Sequence, residues 1–210
     1  MATSASTSWN KVPELKLSVL IAALKKPYDI LQDNTDSESK EDPFSKQGVM
    51  GFYDQTEDEW LKNQRIIQKE RAWSMSMGYL HQTLVGDGFD GWETYANGHV
   101  TGCDTGKKDG TAVTEVKNNV NTMNSSQKES IMIKLKKQAA LGKRAILVIV
   151  NGDTKKKVLA PGVEQISGRD FYAELSGNPA FYDNLVETIG TVFKTFKTFA
   201  TFKAAALGTP

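Results

Sequence analysis

The sequence predicts an α/β fold: a mixed β-sheet, an antiparallel hairpin followed by a parallel βαβ unit, flanked by helices. Three observations predict it. Ala145 to Val150 (AILVIV) is wholly apolar and rich in β-branched residues, the composition of a strand buried on both faces. Asp109-Gly110 lies between two extended runs, His99 to Thr105 and Thr111 to Asn118, and that dipeptide is a hairpin signal. A helical pattern over residues 126–141 joins 111–118 to 145–150, so these three form a βαβ unit with parallel strands and a right-handed crossover.

The other elements follow in order. Glu14 to Lys26 is a short apolar-rich helix stopped by Pro27, and Leu31 to Gly48 is a polar loop. Glu57 to Leu84 is a helix whose Ile66, Trp73, Met77, Leu80 and Leu84 recur on one face. Glu70 falls on that stripe, at its edge or aimed at a buried site. Gly86 to Gly91 is a turn; it lacks the D-x-D-x-D-G series and terminal Glu of a calcium loop. Ser126 and Glu129 have capping-box spacing, Ile131, Leu135 and Ala139 form the buried stripe of their helix, and Gly142 ends it. Ser167 caps a helix over Arg169 to Leu175, and Asn178-Pro179 opens the last helix. In the tail, Phe193, Phe196, Phe199 and Phe202 recur every third residue, a broad apolar face for the core or a second subunit. Residues 1–56 form an N-terminal extension, 57–190 the core and 191–210 a Phe-rich C-terminal helix, within a single domain.

Composition limits the function. The 210 residues are 39% hydrophobic and 24% charged, the balance of a globular chain. There is no 18-residue apolar run and no basic-then-apolar leader, so neither a membrane span nor a secretory signal is expected, and a cytoplasmic location is the expectation. Cys103 is the one cysteine, and with two histidines it cannot build a four-ligand Cys/His zinc site. Net charge is +1, yet Tyr28 to Glu59 holds ten Asp/Glu against two Lys/Arg, whereas Thr101 to Lys157 holds twelve Lys/Arg against five Asp/Glu. The basic half suits a polyanion, or else a set of solvated helix faces.

Within that basic half, Glu115 and Lys117 are two apart on one strand and so share a face. The hairpin returns Asp104 alongside residues 113 to 115. Two carboxylates and an ammonium converging on one point suit Mg²⁺-assisted phosphodiester hydrolysis. The lysine would orient the attacking water, help deprotonate it, or stabilise charge on the phosphate. An ordinary exposed Glu/Lys pair is the alternative for an isolated E-x-K.

The run Gly102-Cys103-Asp104, followed by Thr114-Glu115-Val116-Lys117-Asn118-Asn119-Val120-Asn121-Thr122-Met123-Asn124-Ser125, resembles type II restriction endonucleases of the PD-(D/E)xK superfamily. It is similar to a branch cutting short GGNCC or GGWCC palindromes. Gly78-Tyr79-Leu80-His81-Gln82 and Ile166-Ser167-Gly168-Arg169-Asp170-Phe171-Tyr172 look like that branch too, so the resemblance covers about residues 57 to 190. Cys103 stands where the superfamily pattern has Pro. The resemblance implies a restriction-endonuclease-like core. It also implies that Asp104, Glu115 and the Val116 carbonyl bind Mg²⁺, that Lys117 is the catalytic lysine, and that a cognate DNA methyltransferase exists in the host. Repair nucleases of the same fold and non-catalytic DNA-binding modules are the competing readings.

Double-stranded DNA is the expected partner, and a palindromic site suggests a homodimer. Asn118, Asn119, Asn121 and Asn124 follow the catalytic strand, either as caps and turns or as readers of base edges. Lys128, Lys134 and Lys137 on the next helix are expected to contact phosphates. Glu70 is a weaker further carboxylate, and His81 is expected to be structural or DNA-contacting.

Overall fold

A computed structural model describes residues 9–33, 42–119, 123–152 and 156–209. At its centre lies the apolar run, extended to β4 (Arg144–Asn151). It pairs in parallel with β3 (Ala112–Asn119) on one side and with β6 (Val163–Ser167) on the other. Both faces of β4 are covered, which is why its six residues from Ala145 to Val150 are all buried. The sheet continues outward through β2 (Thr105–Lys107) to β1 (Trp92–Thr94), and on the far edge to β5 (Lys157–Ala160), giving the order β1-β2-β3-β4-β6-β5. The β1/β2, β2/β3 and β5/β6 pairs are antiparallel. The expected α/β mixed sheet is therefore present, with α4 (Ser125–Ala140) as the crossover between β3 and β4.

The two faces of the sheet hold different helices. Ala112, Val116, Ile146, Val148, Val150 and Ile166 face α1 (Leu17–Gln32), the C-terminal half of α3 (Glu57–Asp87), α5 (Gly168–Ser176), α6 (Phe181–Thr195) and α7 (Phe199–Leu207). Val113, Ala145, Leu147, Ile149 and Val163 face Ile131 and Leu135 of α4, with Cys103. The alternation along β3 thus sends residues 113, 115 and 117 toward α4.

Several boundaries differ from expectation, each for a local reason. Of the first predicted hairpin strand only Thr105 remains in β2. Residues 99–104 turn instead, with Gly102 N–H donating to His99 O at 2.8 Å and Gly102 at φ +67°. The Asp109-Gly110 turn itself forms, with Gly110 at φ +76° and Asp109 Oδ1 accepting from Thr111 N–H at 2.9 Å. Pro27 does not stop α1 but lies buried inside it. An internal proline costs about 3 kcal/mol. Tyr28 next to it is buried with its ring 4.5 Å from Phe193, 5.8 Å from Phe199 and 6.0 Å from Phe202. That burial contributes about 1.5–3 kcal/mol, and each aromatic pair about 0.5–1.5 more, enough to offset the proline.

The predicted loop gives way at its C-terminal end to α2 (Pro43–Tyr53), which runs past Gly48 and is started by the Asp42 side chain on Phe44 N–H and by Pro43 in the first turn. Its described residues are all partly or fully exposed. Helix α4 is capped by Asn124 with Gln127 rather than by Ser126 with Glu129. Ser167 caps α5 as expected, its hydroxyl accepting from Asp170 N–H. Gly168 is required there: a Cβ would lie 2.6 Å from the Val150 carbonyl oxygen. Pro179 stays outside α6, which begins at Phe181.

The Phe-rich tail is two helices, not one. Three residues fall about 60° short of a full helical turn, so four Phe at that spacing spiral off any single face. The chain breaks after Thr195, and the Thr198 cap restarts it as α7. Phe196 and Phe202 then reach Trp9, with ring centroids at 6.3 and 5.4 Å, while Phe193, Phe199 and Phe202 surround Tyr28. The tail and α1 thus belong to the main core cluster. No helix among the described residues is long and apolar enough to cross a membrane.

Candidate active site

Strand pairing brings the three predicted residues together. Thr105 is paired with Thr114, so Asp104, one residue earlier, comes opposite Glu115 and shares its face. Asp104 remains tied into the sheet although it precedes β2: its N–H donates to Thr114 O at 3.0 Å and its carbonyl accepts from Tyr95 N–H at 2.9 Å. Its side-chain Oδ2 accepts from Val116 N–H at 2.8 Å. Lys117 Nζ lies 2.8 Å from Glu115 Oε1 and 3.9 Å from Asp104 Oδ2. These are the geometric relations that the E-x-K spacing and the hairpin predict.

The electrostatics follow from burial. The Glu115 side chain is 3% exposed, that of Asp104 20%. Burial raises the Asp104 carboxyl above the usual range, and the charge of Glu115 pushes the same way, against Lys117, the Val116 N–H and Lys134. For Lys117 burial alone favours the neutral amine, but Glu115 and Asp104 outweigh it and hold the ammonium above its ordinary value. Lys117 is therefore charged at neutral pH. Burial pushes the neighbouring Cys103 thiol up to about 11, so it stays protonated and acts as packing where the superfamily pattern has Pro.

Lys134 is the site residue that sequence reasoning assigned elsewhere. Expected as a phosphate contact, it projects from α4 to within 2.5 Å of Glu115 Oε2 and donates to the Gly102 carbonyl at 2.8 Å. Oε2 is buried, and the Lys134 ammonium is its ionic partner. The missed signal was available: residue 134 adjoins the Ile131 and Leu135 stripe, and α4 covers the face of β3 that carries Glu115.

Glu115, Lys117 and Lys134 line a cleft of about 620 Å³ between α3, β3 and α4, and Asp104 lies behind Glu115 and Lys117 rather than in its wall. Its walls include Ser74, Gly78 and Gln82 from α3, Glu115 to Asn118 from β3, and Gln127, Ser130 and Lys134 from α4. Glu70 is exposed, one helical turn beyond Ser74, and is not in this wall. His81 is buried, with Nδ1 2.9 Å from the Tyr172 hydroxyl, which selects the structural of its two expected roles and corrects the DNA-contacting one. Asn118 lies in the wall, its Oδ1 accepting from Asn151 Nδ2 at 2.7 Å, while Asn151 Oδ1 accepts from the Tyr182 hydroxyl at 2.6 Å. Asn151 and Tyr182, which link the ends of β3, β4 and α6, carry no sequence motif that would have singled them out. Asn119 is half-buried, Asn124 is the α4 cap, and Asn121 lies outside the described residues. Lys128 and Lys137 are exposed on α4, about two and a half turns apart and so on opposite sides of the helix.

The donor set suits a hard dication. Asp104 and Glu115 offer carboxylate oxygens, the buried Glu115 Oε2 among them, with the Lys117 and Lys134 ammonium groups as their present counter-ions. Among the described residues there is no cluster of three or more His, Cys, Asp or Glu side chains. Two carboxylates with a main-chain carbonyl and waters is the pattern Mg²⁺ accepts.

The family model for Eco47II restriction endonuclease matches residues 16–197. The chain belongs to that family. This restriction endonuclease match is wider than the 57–190 of the sequence resemblance, and it takes in α1 and all of α6. DNA is thus the substrate, and the six-stranded mixed sheet is consistent with the fold expected of such a nuclease. No curated protein and no solved structure gives a match.

Proposed function

We propose that this chain is a type II, site-specific deoxyribonuclease that uses Mg²⁺ held by Asp104, Glu115 and the Val116 carbonyl. The observation that carries the reading is the convergence of Asp104, Glu115 and Lys117 on one face beside a cleft. The bound metal would supply a water of lowered pKa and charge stabilisation on the phosphate. The protein's own groups have separate tasks. Val116 N–H fixes Asp104 Oδ2, leaving Oδ1 to point elsewhere. Lys117, beside both carboxylates, can donate hydrogen bonds that orient the attacking water and stabilise the developing charge. Asn118, at the cleft wall, and Asn119 are the base-reading candidates, at about 1–3 kcal/mol of discrimination for a bidentate contact.

A short palindrome, of which GGNCC and GGWCC are the candidates, is read by a homodimer, each copy cutting one strand. A cognate methyltransferase protects the host. The test is digestion of a plasmid of known sequence in Mg²⁺. Discrete fragments whose ends map to one short sequence are expected. A smear from the earliest time points would instead indicate a nuclease without site specificity.

A further inference from the structure

Lys134 differs from the other lysines of α4 in what it touches. Its side chain is 26% exposed, its ammonium sits 2.5 Å from Glu115 Oε2, and it is tethered to the Gly102 carbonyl. Lys117 lies against the other oxygen of the same carboxylate. Two carboxylates and two ammonium groups therefore sum to zero around Glu115, whose side chain is 3% exposed. A dication taking Glu115 Oε2 would meet Lys134 at contact distance, a like-charge arrangement. A DNA phosphate changes that balance. It brings negative charge into the cleft, whose wall includes Lys134, and the flexible lysine stem can carry the ammonium from Glu115 to a phosphate oxygen.

We propose that Lys134 is a counter-ion that occupies Glu115 until a DNA phosphate draws it away, so that this one ammonium couples metal loading to DNA binding. The proposal rests on the metal-dependent reading of Asp104 and Glu115 given above. Lys134 acts through Glu115 and is a positioning residue. By linkage, DNA and metal each raise the other's affinity by the same factor.

The test uses Mn²⁺ alone, titrated into the full chain without DNA and followed by the electron paramagnetic resonance signal of the free ion. Lys134→Met is expected to bind Mn²⁺ roughly tenfold or more tighter than the wild type. Lys134→Arg, which keeps the charge, is expected to stay as weak as the wild type. A lysine that only braced the Gly102–Asp104 turn would give the opposite sign, because loosening the site lowers affinity. Lys134→Gln serves as a second neutral variant, and thermal melts establish that each variant is folded. Adding Asp104→Ala to the neutral variants should remove the gain. Unchanged or weaker binding in the folded neutral variants overturns the counter-ion role. If Asp104→Ala still abolishes that binding, the metal-dependent reading survives. Equal tightening in Lys134→Arg also overturns the role, since charge is then not the cause. Binding indifferent to Asp104→Ala in every background overturns both readings.

Discussion

His81 shows how one buried residue sets a pH dependence. Burial lowers its pKa from 6.5 to about 4, and its Nδ1 is engaged with the Tyr172 hydroxyl. The unfolded chain therefore takes up a proton near pH 6.5 that the folded chain refuses until about pH 4. The stabilisation is complete above pH 6.5 and declines as pH falls through that window. By pH 5 the loss amounts to about 2 kcal/mol. Chemical denaturation at pH 7 and pH 5 should show this loss in the wild type and a smaller one in His81→Gln. Equal losses would mean that other groups carry the acid sensitivity. In the sequence, His81 lay among residues resembling a nuclease branch, and nothing in its neighbours revealed Tyr172, which is 91 residues away and meets it only in the folded core.

Among the elements, α4 separates what spacing reveals from what it conceals. Its position as a βαβ crossover was legible because β-branched composition and a helix between two extended runs are local signals. Its cap lies two residues earlier than the sequence predicts, since Asn124–Gln127 and Ser126–Glu129 are both plausible capping pairs. Asn124→Ala should cost about 0.5–2 kcal/mol of unfolding free energy, the usual effect of losing a cap, without changing which DNA sequence is cut. A change in sequence preference would return Asn124 to base reading. Lys128 and Lys137 project to opposite sides of the same helix, so one duplex lying along the cleft cannot meet both equally. Lys137→Ala and Lys128→Ala, measured by DNA binding against salt, should therefore lower the slope unequally, by about one for the phosphate-contacting lysine and near zero for the other. Equal reductions would contradict this placement. The hairpin boundary and the break in the Phe tail were hidden for a related reason. Both depend on what the segment packs against: Tyr95 and Thr114 for residue 104, Trp9 and Tyr28 for the tail.

For the whole molecule, the nuclease core was legible because Glu115 and Lys117 share a strand face and the Asp109-Gly110 turn returns Asp104 alongside them. The contribution of α1 was not, since its contacts with Phe193, Phe199 and Phe202 span the length of the chain. The tail's apolar surface is used largely inside the protein, so it no longer supplies the interface area expected of it. The two most exposed Phe side chains instead lie on α2, where Phe44 and Phe52 are 86% and 81% exposed. One Asp/Glu/Lys set serves one scissile strand, so light scattering on a palindromic duplex is expected to give the mass of two chains per duplex. One chain per duplex throughout cleavage would favour sequential nicking.

The proposed cutting of DNA by Asp104, Glu115 and Lys117 with Mg²⁺ is open to a single experiment: digestion of one plasmid with the wild type and with Asp104→Ala side by side, in Mg²⁺ and in EDTA, after melting curves show both proteins folded. The wild type should give discrete fragments in Mg²⁺ and none in EDTA, and Asp104→Ala should be slower by about 10³-fold or more. Cleavage by Asp104→Ala at the wild-type rate, or undiminished cleavage by the wild type in EDTA, would contradict the proposal.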